Sequence, residues 1–104
     1  MTRSINVFTL NNIDEIRKAM VELQSTGELL PQGSTVQVYL NNDKQVSDKL
    51  PGSFFGDIVQ IIDFPEEWQA AEWETSEAYE DQRRRCRGLF SSTTILSFPL
   101  EKES

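Results

Sequence analysis

Chemistry in this sequence would fall to a few side chains: a carboxylate closing an apolar run, Asp63, and a cluster of arginines, Arg83, Arg84, Arg85 and Arg87. A carboxylate in a cavity is desolvated, and burial raises its pKa towards the range in which it acts as a general base or anchors a ligand. The same group at a strand end can equally accept hydrogen bonds from the start of the next helix. Guanidinium groups grip carboxylate or phosphate bidentately. Yet Glu66 and Glu67 precede these arginines as a helix macrodipole favours, and Glu80–Arg84 and Asp81–Arg85 have the i, i+4 spacing of helix-surface ion pairs. Arg83 lies beside the apolar stripe, so Asp63 and Arg83 are the residues assigned to any catalytic step.

Trp68, Trp73 and Tyr79 could line an apolar pocket with their polar tips on a ligand, and Tyr39 joins them as a ligand-binding candidate. Trp68 and Tyr79 also sit at core spacing with Ala71, Thr75, Gln82 and Cys86. Trp73, between Glu72 and Glu74, falls off that stripe and suits a pocket, an interface or plain surface. Cys86 has arginine neighbours that favour its thiolate, but its helical phase points it inward as an inert core thiol. There is no histidine, which removes the usual general base and imidazole metal ligation, and one cysteine makes no intrachain disulfide or cysteine-based zinc site. No metal and no cofactor are expected.

The elements that must position these residues are readable. Ser4 to Leu10 is a β-branched and aromatic strand ended by Asn11-Asn12. Ile16, Ala19, Met20 and Leu23 fall at helical spacing, with Asn12 as cap and Gly27 as stop. Thr35 to Asn41 alternates, Val36, Val38 and Leu40 against Thr35, Gln37 and Tyr39, and predicts a half-buried strand. Residues 42 to 53, with a Pro51-Gly52 turn, predict a polar connection. Gly56 to Phe64 fits a helix or a strand; its β-branched content and its Gly and Pro boundaries favour the strand. Pro65 opens a long helix to Gly88, with a break allowed at Thr75-Ser76, where Ser76 could cap a new turn. Ser92 to Phe98 is the last strand, followed by a charged tail, 101–104.

The order β-α-β-β-α-β over 104 residues predicts a single α+β domain of ferredoxin-like kind, a four-stranded antiparallel sheet with two helices on one face. Strands 1 and 3 carry apolar residues on both faces, Ile5 and Val7 opposing Phe8 and Leu10, Ile58 and Ile62 opposing Val59 and Ile61. Two helices cover one face, so the other is expected to pair with a second copy in a homodimer. Seventeen acidic against ten basic residues give a net charge of −7, which disfavours nucleic-acid and anionic-lipid partners. No membrane span or signal peptide is visible, so a cytoplasmic protein is expected.

The run Gly56-Asp-Ile-Val-Gln-Ile-Ile-Asp-Phe-Pro65, then Glu-Glu-Trp-Gln-Ala-Ala-Glu-Trp, Ser76-Glu-Ala-Tyr79 and Arg83, resembles the dimeric α+β barrel superfamily. The closest likeness is to a small uncharacterised family related to antibiotic-biosynthesis-type monooxygenases. Glu66 stands where many relatives have a small capping residue, and Ser76-Glu77-Ala78-Tyr79 where they often have Ser-Pro-Glu-Tyr. The resemblance places Asp63 at the family's acidic position and implies a dimeric barrel. That superfamily hosts cofactor-free oxygenases, isomerases, haem-binding enzymes and proteins with no known activity, so fold does not name a reaction. Two functions are expected to compete: cofactor-free binding or transformation of a small apolar, partly ionised molecule, and a non-catalytic acidic module engaging a protein partner. An acidic mimic of nucleic acid is a remoter third.

Overall fold

The structure, a computed structural model, describes residues 1–50, 52 and 54–100, with the backbone alone at 45 and 47. Pro51 of the expected turn and the charged tail 101–104 lie outside the described residues. The chain runs β1 (Thr2–Leu10), a 3-10 turn (Ile13–Glu15), α1 (Ile16–Ser25), a second 3-10 turn (Thr26–Glu28), β2 (Thr35–Leu40), α2 (Lys44–Ser47), β3 (Ile58–Phe64), α3 (Glu67–Glu74), α4 (Glu77–Arg85) and β4 (Phe90–Pro99). The strands form one antiparallel sheet in the order β2-β3-β1-β4. This is the ferredoxin-like arrangement that the order of elements predicts.

The ambiguous segment 56–64 is a strand because both of its faces find apolar partners. Ile58, Ile62 and Phe64 meet Ala19, Leu23, Ala70 and Trp73 of the helices, while Val59 and Ile61 pack with Ile5 and Val7 on the far side. A helix would have turned part of that set to water. Gly56 admits the strand: a Cβ there would stand 2.5 Å from Val7 Cγ1, so the backbone passes closer to β1 than any side chain allows. Asp57 then fastens the two strands, its Oδ2 accepting from the Leu10 N–H at 2.8 Å beside the register shift at Thr9/Leu10.

One expectation is corrected and one open alternative is decided. The connection 42–53 is not merely polar. It carries α2, whose Val46 is buried with Leu50 and Phe54 against Ile5, Val7, Val59 and Ile61, so the chain itself covers the middle of the far face. The long second helix is two helices, broken at the position where the sequence allowed it. Ser76 Oγ accepts from the Tyr79 N–H at 3.1 Å and donates to the Trp73 carbonyl at 2.7 Å, ending α3 and starting α4. α3 opens with a reciprocal cap in which Gln69 Oε1 accepts from the Glu66 N–H at 3.0 Å.

That break resets the helical phase. In α3 the sheet-facing positions are Ala70 and Trp73, three residues apart. Trp73 is therefore 5% exposed and Trp68 62% exposed, the reverse of the expectation from a continuous stripe.

Candidate functional site

Between the helix-facing side of the sheet and α4 lies a cavity of about 500 Å³, within the range of small-molecule sites, about 300–1,000 Å³. β1 and β3 supply its floor through Asn6, Phe8 and Gln60. α1 contributes Leu23, and α4 contributes Tyr79, Gln82 and Arg83. Phe90 and Ile95 of β4 complete the apolar part, the Phe90 ring lying 4.5 Å from that of Phe8 between centroids.

The floor is wired by amides. Asn6 Nδ2 donates to Gln60 Oε1 at 3.1 Å across the β1–β3 pair, and Gln60 Nε2 donates to the Leu23 carbonyl at 2.8 Å and to Thr26 Oγ1 at 3.1 Å. Gln82 Nε2 donates to Thr26 Oγ1 as well, and to the Glu22 carbonyl at 3.2 Å. All four side chains are buried. Polar side chains tolerate such burial when their hydrogen bonds are made, and each bond here ties one element to another.

Tyr79 stands edge-on to Trp73, with ring centroids 5.5 Å apart, and the Arg83 guanidinium carbon lies 5.8 Å from the centre of its ring. Burial raises the Tyr79 pKa, Arg83 opposes that and Glu74 adds to it, so the phenol is neutral at pH 7 and offers a proton. The arginine cluster divides. Arg84 is shared by Glu80 (4.0 Å) and Asp81 (3.5 Å), and Arg85 meets Glu22 (3.7 Å), so the expected Asp81–Arg85 pairing gives way to Asp81–Arg84. Arg83 has no carboxylate partner among the described residues, and it lines the cavity.

The six residues singled out from the sequence do not form one site. Tyr79 and Arg83 meet at the cavity. Trp73 supports Tyr79 from the core, and Trp68 faces solvent. Asp63 and Tyr39 project from the opposite side of the sheet. Asp63 accepts from Arg3 Nε at 2.8 Å and from its second nitrogen, Nη2, at 3.0 Å, and this bond is the first cause of a raised Arg3 pKa. Tyr39 Oη accepts from Lys49 Nζ at 2.8 Å, with the ammonium 4.7 Å from the ring centre. Because odd-numbered residues of β3 face away from α4, Asp63 cannot share a cavity ligand with Arg83. Its position at the strand end also serves no helix start; the cross-strand guanidinium holds it instead.

The residues missed were Asn6 and Gln60. Their signal was present: each is a polar residue on the helix-facing side of an otherwise apolar strand, and they lie directly opposite each other in register. Among the described residues no group of three histidine, cysteine or acidic residues is arranged to hold a metal ion, and no helix is long and apolar enough to cross a membrane.

Cys86 also lines the cavity but is buried. Desolvation raises its pKa, Glu22 adds to this and Arg85 opposes it. The sign is that of a proton held more tightly in the folded state. The contribution to stability is therefore complete below the ordinary thiol value of 9.0 and is lost as pH rises through the higher folded value. Alkylation by iodoacetamide at pH 8 is expected to be at least about tenfold slower in the folded protein than in urea, by thiolate fraction and access. Equal rates would show an exposed, reactive thiol.

No protein-family model matches the chain, and no curated protein matches it. Solved structures share its fold. An Arabidopsis thaliana protein superposes with a TM-score of 0.75 at 8% identity, covering 100% of this chain and 99% of that one. A dimeric ferredoxin-like protein of unknown function from Thermobifida fusca gives 0.67 at 13% identity, covering 95% and 90%. The cofactor-independent oxygenase SnoaB from Streptomyces nogalater gives 0.66 at 11% identity, covering 98% and 94%. Structures described as antibiotic-biosynthesis monooxygenases share the fold too, at 9% and 13% identity, and with the others they show the ferredoxin-like architecture expected above.

Proposed function

We propose that this protein binds a small, largely apolar organic anion in the cavity between the sheet and α4. Arg83 carries this reading: it is an arginine without a carboxylate partner among the described residues, at the wall of a cavity large enough for a two-ring molecule. The guanidinium supplies the countercharge, the neutral Tyr79 phenol a proton, and Phe8, Leu23, Phe90 and Ile95 the apolar enclosure. Cofactor-free turnover of such an anion, oxygenase- or isomerase-like, extends the reading and is supported by the fold shared with the Streptomyces nogalater oxygenase. In that case Arg83 stabilises the charge developing on the substrate, and the acid–base work attributed to Asp63 falls to the ionised substrate itself.

Calorimetry with aromatic carboxylates tests the binding step. Hydrogen bonds to charged groups contribute about 1.5–3 kcal/mol, so Arg83→Ala is expected to weaken the best ligand about 10- to 100-fold, whereas Arg85→Ala, outside the cavity lining and paired with Glu22, leaves it nearly unchanged. A panel of such acids without a binder overturns the reading.

A homodimer through the far side of the sheet belongs to the same proposal. Leu96 and Phe98 of β4, paired with Ile5 and Arg3, are only half-buried on that side. The Thermobifida fusca structure with this fold is described as dimeric. Light scattering at micromolar concentration is expected to give twice the chain mass of 11.9 kDa; the single-chain mass would remove this part.

A further inference from the structure

The amide network decides which groups the cavity floor offers to a ligand. An amide nitrogen carries two hydrogens and an amide oxygen two lone pairs. Gln60 Nε2 gives its hydrogens to the Leu23 carbonyl and Thr26 Oγ1, and its Oε1 accepts from Asn6 Nδ2. Gln82 Nε2 likewise gives its hydrogens to the Glu22 carbonyl and Thr26 Oγ1. The three amide planes are thereby fixed, nitrogen towards the protein in both glutamines.

Two oxygens are left over. Asn6 Oδ1 and Gln82 Oε1 accept no hydrogen bond from the described residues, although Asn6 is 8% and Gln82 7% exposed. Among the described residues the polar side-chain atom both closed to solvent and without a partner is Ser34 Oγ. The two amide oxygens are therefore reachable, and the cavity that both residues line is the way to them. Their unused lone pairs stand against one uncommitted amide hydrogen, the second on Asn6 Nδ2.

From this, and resting on the anion-binding reading above, we infer that the cavity selects ligands by hydroxyl or N–H donors carried on the apolar body, received by Asn6 Oδ1 and Gln82 Oε1, while Arg83 holds the anionic group. The class is a hydroxylated aromatic acid rather than its ether or ketone. An acceptor-only ligand would set its oxygen against these carbonyl oxygens and leave them desolvated without a partner.

The test is a matched panel on the intact protein: 2-naphthoate, its hydroxy derivatives at successive ring positions, and the corresponding methyl ethers, compared by calorimetry. At least one hydroxy acid is expected to bind about tenfold or more tightly than its methyl ether, as the loss of one buried hydrogen bond to an unpaired acceptor requires. In Asn6→Leu or Gln82→Leu that preference is expected to shrink severalfold, the hydroxy acid losing its acceptor and the methyl ether no longer burying an unpaired one. If both leucine variants fail to fold, the wild-type comparison decides alone. Hydroxy acids and ethers binding equally well, or ethers more tightly, overturn the inference and leave the anion site standing. Failure of every naphthoate to bind overturns the anion reading and the inference with it.

Discussion

Trp73→Ala is expected to lower the unfolding free energy by about 3–5 kcal/mol, the cost of removing a large aromatic side chain from a packed core, and Trp68→Ala by less than about 0.5 kcal/mol. The two tryptophans lie five positions apart on one short helix, so composition and helix propensity treat them alike. Packing does not. Trp73 closes the cluster of Ile62, Phe64 and Ala70 and gives Tyr79 an edge-on partner, whereas Trp68 leaves most of its surface in solvent. Since small domains hold about 5–15 kcal/mol in total, the Trp73 variant loses a large share of its stability. Its melting temperature should fall by well over 10 °C, at about 4–8 °C per kcal/mol for a chain of this size. Urea unfolding measures both, and similar losses for the two variants would mean that α3 does not present its Ala70–Trp73 face to the sheet.

Gln60→Leu should destabilise the protein by several kcal/mol although leucine is apolar, close in size and good for a strand core. The substitution strands Asn6 Nδ2 and the Leu23 carbonyl, both now buried, at about 1–3 kcal/mol for each group left without a partner. Gln60 and Gln82 meet on the same Thr26 hydroxyl. Loss of both should therefore be non-additive, with an interaction energy of about 0.5–3 kcal/mol in a double-mutant cycle. Strict additivity, or a Gln60→Leu protein as stable as the parent, would show that these amides are not joined.

Much of the architecture was legible because it is periodic. The three-and-four spacing of Ile16, Ala19 and Leu23 reports one buried face that the structure uses as read, and alternation at 35–40 places Val36 and Val38 correctly, but Leu40 is 39% exposed and Tyr39 packs on the far side. Segment 56–64 was legible through β-branching and its Gly and Pro boundaries rather than through periodicity, since its apolar residues serve both sides of the sheet. The site was less so. Whether Asp63 meets Arg83 or Arg3 depends on strand parity and on which strand lies alongside, and sheet order is a long-range fact that no local pattern carries. A single break at Ser76 exchanged the roles of Trp68 and Trp73, because a helical stripe extrapolated across a cap keeps the wrong phase. Residues 42–53 looked like a loop by composition; one valine in α2 makes them a cover for the far face.

The sheet order has a consequence for how the molecule comes into being. β1, made before the other three strands, pairs with β3 and β4 across 50 or more positions of sequence. Until they emerge, Ile5 and Val7 lack Val59 and Ile61 and the strands that pair with them, and contacts so distant in sequence form slowly. Asn6 and Arg83 belong to the opposite ends of that wait, so a ligand held as proposed above would stabilise only a chain whose synthesis has passed α4, and would not rescue an earlier, half-made one.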